Sequence, residues 1–170
     1  MPKALCGFDS LAGGASGSEF LVAYGPTLVV NVGFDPDFKE ANATVPKIGT
    51  TKFAALVDTG ATECAIDSLL AAQLNLPVVD RRKVAGIGGA HEVNVHLAQV
   101  FVVSLGFTVY GAFMAVHLNA GGQRHHVLLG RTFLKHYKMV YEGVTGTVII
   151  ESPLPPLPPK PAPLPASPAP

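Results

Sequence analysis

The chain is 170 residues long, 48% hydrophobic and only 14% charged, which suits one domain with a substantial core and excludes a wholly disordered chain. Its 12 basic and 12 acidic residues give a formal net charge of zero, and no basic stripe interleaved with aromatics supports nucleic-acid binding. Cys6 and Cys64 are too few for a disulfide framework or a zinc site, and no apolar run reaches a membrane span. With no continuous apolar segment at the start, the expectation is a soluble cytoplasmic protein.

Residues 1–20 are rich in Gly, Ser and Ala and read as a flexible lead-in. Residues 21–34 follow as a strand, with Leu28, Val30 and Val32 facing one way and Val29 and Asn31 the other. A loop around Pro36 leads to a second strand, Ile48 to Val57, paired with the first. That strand runs Phe53-Ala54-Ala55-Leu56-Val57 straight into Asp58-Thr59-Gly60-Ala61. A carboxylate delivered by a buried strand is costly unless it is hydrogen-bonded, paired or neutralised. Gly60 lets backbone amides approach that acid, and Thr59 supplies a hydroxyl to brace the turn.

Cys64 follows closely and reads as a small core residue. Ala65 to Leu74 carries helical spacing, capped by Asp67 or Ser68 and stopped by Pro77. Val79 to Val95 is a hairpin whose tip, Gly86-Ile87-Gly88-Gly89, supplies the backbone freedom of a tight turn; its functional reading is a flap. Strands Leu97–Val103 and Phe107–Leu118 are separated by a turn at Ser104-Leu105-Gly106. His125 and His126 are adjacent, so in a strand they face opposite ways, and without a third ligand no metal is expected. Val127-Leu128-Leu129 is a buried strand that ends at Gly130-Arg131 and turns into a short helix through His136. A hairpin, Lys138–Tyr141 with Gly146–Ile150, closes the domain at about residue 151. From Ser152 onward ten of nineteen residues are proline, a polyproline-type tail in which no core can form.

Three features thus stand in order: apolar strand and Asp-Thr-Gly-Ala, Gly-Ile-Gly-Gly hairpin, and Leu-Leu-Gly-Arg before a helix. Together they resemble the retropepsin-like aspartic proteases, the single-lobe relatives of pepsin found in retroviruses and in cells. The resemblance covers roughly residues 25–151 within a protease domain at 21–151. It implies a mainly β, closed-barrel-like lobe with one or two short helices and a flap.

Asp58 would then be catalytic, with Thr59, Gly60 and Ala61 as its loop and no cofactor. Val84, Gly86, Ile87, Gly88 and Gly89 would bind substrate, with Leu128 in an apolar pocket, while Gly130 and Arg131 support the loop from below. Thr62 and Thr132 depart from the pattern, because relatives often place carboxylate or amide groups there. Glu63 is the substitute partner for Arg131. One Asp-Thr-Gly per chain implies a homodimer acting on an extended peptide. The alternative is a dimeric peptide-binding or assembly module of the same fold with little turnover. A proline-recognising domain is the further partner class that the tail admits.

Overall fold

The computed structural model describes residues 2–40, 45–86 and 89–152. Its centre is β2 (Thr27–Gly33), where strict alternation buries Leu28, Val30 and Val32 and leaves Val29 exposed. β2 pairs antiparallel with β3 (Phe53–Val57), Thr27 opposite Leu56 and Val30 opposite Phe53. Residues 48–52 precede β3 as irregular chain, so the strand is shorter than its apolar spacing suggests.

β3 then runs parallel to β8 (Val127–Leu129), which pairs antiparallel with β4 (Ala65–Asp67). β4 lies parallel to β7 (Phe107–Val116), and β7 pairs antiparallel with β6 (Gly89–Val102). The far half of β6 returns to β2, Val30 opposite Val102, and closes a six-stranded barrel. Closure removes unpaired edges from the ring, and Val30, Ala55, Ile66, Val100, Val102, Val127 and Leu129 fill it at 0% exposure. The mainly β, closed-barrel lobe implied by the resemblance is what the chain forms.

Outside the ring, β5 (Val78–Gly86) pairs with the near half of β6 in register down to Gly86 opposite Gly89. This is the expected hairpin; its tip residues Ile87 and Gly88 lie outside the described residues. Helix α2 (Ser68–Gln73) follows β4, with Asp67 as its N-cap, and α3 (Arg131–Leu134) follows β8. Ala65 and Ile66, read as helix, are instead a short strand, because both flanks of the barrel offer them backbone partners.

The first twenty residues depart most from expectation. β1 (Lys3–Leu5) pairs with β10 (Thr147–Glu151), and α1 (Gly17–Tyr24) extends through residues expected to begin a strand. The fold thus holds three α-helices and a 3-10 helix, Val103–Leu105, among the described residues, where one or two short helices were expected. Ser16 and Glu19 form a reciprocal capping box, a signal written in the sequence and outweighed there by the glycine count. Gly17, one of those glycines, is not slack. A Cβ on Gly17 would lie 2.2 Å from the Phe8 carbonyl oxygen, and one on Gly146 would meet Gly17 at the same distance. β10 also pairs with β9 (Lys138–Glu142), giving a separate three-stranded sheet in the order β1-β10-β9.

Candidate active site

Asp58 sits one residue beyond β3, half-buried, where the strand leaves the barrel. Its amide donates to the Leu129 carbonyl at 3.0 Å, fastening the turn to the end of β8. The Gly60 amide donates to Asp58 Oδ1 at 2.8 Å, so one carboxylate oxygen is held by the backbone of its own loop. A Cβ on Gly60 would come within 3.1 Å of that oxygen, so a larger residue there would crowd the carboxylate.

The two central strands present Asp58 by alternation. Ala55, Val57, Val127 and Leu129 point into the core at 3% exposure or less. The opposite face carries Ala54 and Leu56 from β3 and Leu128 from β8, all half-buried, with Leu56 level with Leu128. Asp58 continues this second face, so the acid stands at the end of a shallow apolar strip that includes Leu128. Of the residues expected to bind substrate, Val84 lies in the paired part of β5 and Ile87 is outside the described residues.

Below the turn, Gly130 and Arg131 hold the loop. A Cβ on Gly130 would meet the Glu63 carbonyl oxygen at 2.4 Å and that of Ala61 at 2.9 Å, so two loop segments touch backbone to backbone there. Arg131 donates from Nη1 to the carbonyls of Thr59 at 2.9 Å and Gly60 at 3.0 Å, and from Nη2 to Thr62 Oγ1 at 2.7 Å. Its backbone amide adds a bond to the Ala61 carbonyl at 2.9 Å, and the Thr132 amide one to the Thr62 carbonyl at 3.1 Å. The guanidinium fork therefore clamps residues 59–62 through carbonyls and one hydroxyl rather than through a carboxylate.

Glu63, the expected partner of Arg131, does something else. It meets Arg82 Nη1 at 3.5 Å, tying the loop after Asp58 to β5 of the hairpin. Both side chains are about half exposed, so the contact adds little to stability, and Arg82 Nε also meets Asp80 Oδ2 at 3.3 Å. Sequence reasoning missed it, since only the folded barrel brings β5 alongside the loop. Thr132 Oγ1 lies 3.5 Å from Cys64 Sγ, and Cys64 is buried as expected.

A cleft of about 380 Å³ opens beside this loop, between β7 and the segment Thr132–His136, with Glu63 and Arg82 at its rim. Asp58 does not line it; the acid stands on an open face of the single chain. The histidine pair shows no metal arrangement: His125 is buried with Nε2 2.8 Å from Thr27 Oγ1, while the His126 ring lies beside Phe53 at 5.4 Å. Among the described residues no cluster of three His, Cys, Asp or Glu side chains could hold a metal ion, and no helix is long and apolar enough to cross a membrane.

With the turn, the hairpin and the Gly-Arg support in one molecule, comparison with known families decides the assignment. The profile described as gag-polyprotein putative aspartyl protease matches residues 45–136, more than half of the chain. The chain belongs to this family. That aspartyl protease match spans the Asp58 turn, the hairpin and Arg131 together. Among solved structures, the chain is similar to the simian foamy virus (mac) protease at 15% identity and TM-score 0.42, covering 64% of this chain and 91% of that one. It is also similar to the EIAV protease complexed with the inhibitor HBY-793, at 17% identity and TM-score 0.43, covering 65% and 85%. No curated protein matches the sequence.

Proposed function

We propose that this aspartyl protease-family protein is an endopeptidase whose catalytic dyad is Asp58 of one copy and Asp58 of a second, joined in a homodimer. The observation that carries the reading is the Asp58 turn itself: a half-buried carboxylate held by the Gly60 amide at 2.8 Å and clamped by Arg131, with one Asp-Thr-Gly per chain.

Two carboxyl groups about 3 Å apart cannot both ionise, so the pair shares one proton. The ionised member takes a proton from water while the protonated member hydrogen-bonds the scissile carbonyl oxygen. The water oxygen bonds to the carbonyl carbon as the protonated member passes its proton to the carbonyl oxygen, which gives a tetrahedral diol and leaves the dyad holding the proton taken from water. Collapse of the diol breaks the C–N bond: the leaving nitrogen takes the dyad's proton, and a diol hydroxyl gives its proton to the other carboxylate as the product carbonyl forms, which restores the shared proton. Binding energy comes from an extended peptide lying against the strip of Leu56 and Leu128, with hairpin amides near Gly86 and Gly89 donating to its carbonyls as to an added strand. The hairpin then excludes water, which strengthens the electrostatics within.

The test is cleavage of a denatured protein or peptide library by purified protein and by Asp58→Asn. The substitution is expected to lower the rate by at least a factor of about 100, with the thermal midpoint unchanged. Equal cleavage by the two proteins would refute the assignment. Peptide binding by the unsubstituted protein without any cleavage would establish the binding-module reading in its place.

A further inference from the structure

The cleft beside the Asp58 loop is built from parts that the proposed dyad does not use, and one wall of it is β7. The pairing of β7 with β4 begins at Met114, so over residues 107–112 the strand pairs with β6 alone. The outward amides of that stretch have no hydrogen-bond partner among the described residues. Gly111 lies within it at a φ of 151°, and a Cβ there would meet nothing within 4 Å. A glycine inside a strand beside open space marks a place where another backbone can approach closely. Rings line the same cleft: half-buried Phe107, exposed Tyr110, and His136 at 6.3 Å from Phe107. Aromatic faces with backbone donors beside them suit a polyproline helix, whose carbonyls make no internal hydrogen bonds and whose recognition uses aromatic-lined grooves.

The chain carries such a segment next to the cleft. β10 ends at Glu151, opposite Lys138, and Lys138 follows two residues after His136 of the cleft. Because β10 runs antiparallel to β9, it delivers the chain toward the end of α3. The two residues from His136 to Lys138 span at most about 7 Å, whereas the eight residues 153–160 reach about 25 Å as a polyproline helix. They read Pro-Leu-Pro-Pro-Leu-Pro-Pro-Lys, and Lys160 is the sole charged residue from 152 to 170. Of the acids in the cleft, Glu63 already meets Arg82, while Glu40 has no ion pair among the described residues. Glu40 is therefore the carboxylate left to receive Lys160, and the exposed Lys135 ammonium is a further donor for tail carbonyls.

We propose that this cleft is the docking site of the chain's own proline-rich tail, with residues 153–160 lying along residues 107–112 of β7 and Lys160 against Glu40. Tethered through Ser152, the segment meets the cleft at an effective concentration on the order of millimolar, so modest contacts suffice to hold it. The rim of the cleft is the Glu63–Arg82 pair that ties the loop after Asp58 to β5, so docking bears on the proposed active face without depending on the dyad.

The experiment is amide hydrogen exchange across residues 107–112 in the full chain and in a chain ended after Ser152, which keeps Val148 and Ile150 of the core. The full chain should exchange there about tenfold more slowly, and a synthetic peptide of residues 153–170 added to the shortened chain should restore the protection. Lys160→Glu and Glu40→Lys should each lower the protection roughly threefold, and the two together should recover it. Protection that follows this charge swap upholds the docking whether or not the protein cleaves peptides. Equal exchange in the full and shortened chains would overturn it. Protection lost on dilution would also overturn it and assign the bound tail to a second copy. So would a proline-free extended peptide that binds the shortened chain as tightly as the tail peptide, since the cleft would then be a general peptide groove.

Discussion

At the scale of single residues, the site depends on what cannot be added as much as on what is present. Gly130→Ala would drive a Cβ to 2.4 Å from the Glu63 carbonyl oxygen, and that neighbour is backbone, which cannot rotate away. The expected loss is about 3 kcal/mol of stability, with the Asp58 loop displaced; a denaturant midpoint within experimental scatter of the parent would contradict it. His125 is a residue whose protonation the folded state opposes. The Thr27 hydroxyl donates to the Gly25 carbonyl at 3.0 Å, so it must accept from His125 Nε2 at 2.8 Å, and His125 Nδ1 is left buried without a partner. Burial first, and then the neighbouring Arg124 and His126, hold His125 below its ordinary value of 6.5. The unfolded chain takes up a proton as pH falls through 6.5 and the folded chain does not. Its contribution is therefore complete above that pH and is lost below it, by at most about 1.4 kcal/mol per pH unit. Thermal midpoints of the parent should fall between pH 7 and 5 more steeply than those of His125→Gln; parallel curves would rule this out.

At the scale of elements, short pieces are held by their ends. The Asp67 carboxylate is 1% exposed and accepts four backbone amides: Leu69 at 3.1 Å, Leu70 at 3.2 Å, and Leu118 and Asn119 at 3.0 Å each. It caps α2 and fastens the end of β7 at once. Asp67→Ala should cost roughly 3 kcal/mol, beyond an ordinary cap, because amides of the helix start and of the turn after β7 lose a shared buried acceptor together. A loss below about 1 kcal/mol by chemical denaturation would show that the β7 contacts contribute nothing. The cap was legible from Asp67 and the helical spacing. The contacts at Leu118 and Asn119 were not, since they lie about fifty residues away in sequence.

At the scale of the molecule, the barrel closes without help from a second copy while the proposed dyad does not. The core strands reach 0% exposure within one chain, so the monomer has a complete core of its own. Asp58, in contrast, stands half-buried on an open face. Activity should therefore fall more steeply than in proportion to enzyme concentration on dilution below the dimer dissociation constant. Rate strictly proportional to concentration in a sample that sediments as monomer would exclude the shared dyad. Addition of a tightly binding peptide should oppose the fall, since a ligand bound only by the dimer shifts the equilibrium toward it.

The sequence by itself determined the order of the chemistry-bearing pieces. Apolar alternation on β2 and β3, the Asp-Thr-Gly turn, the hairpin and the Gly-Arg pair are local patterns, fixed by side-chain period and backbone sterics within a few residues. Only the tertiary structure decided what Arg131, Glu63 and the N-terminal segment do. Arg131 takes carbonyls of residues 59 and 60 and the Thr62 hydroxyl, Glu63 turns to Arg82, and Gly17, which read as part of a lead-in, marks where backbones touch. Each of these choices depends on a partner brought near by barrel closure, and distance along a chain carries no record of it.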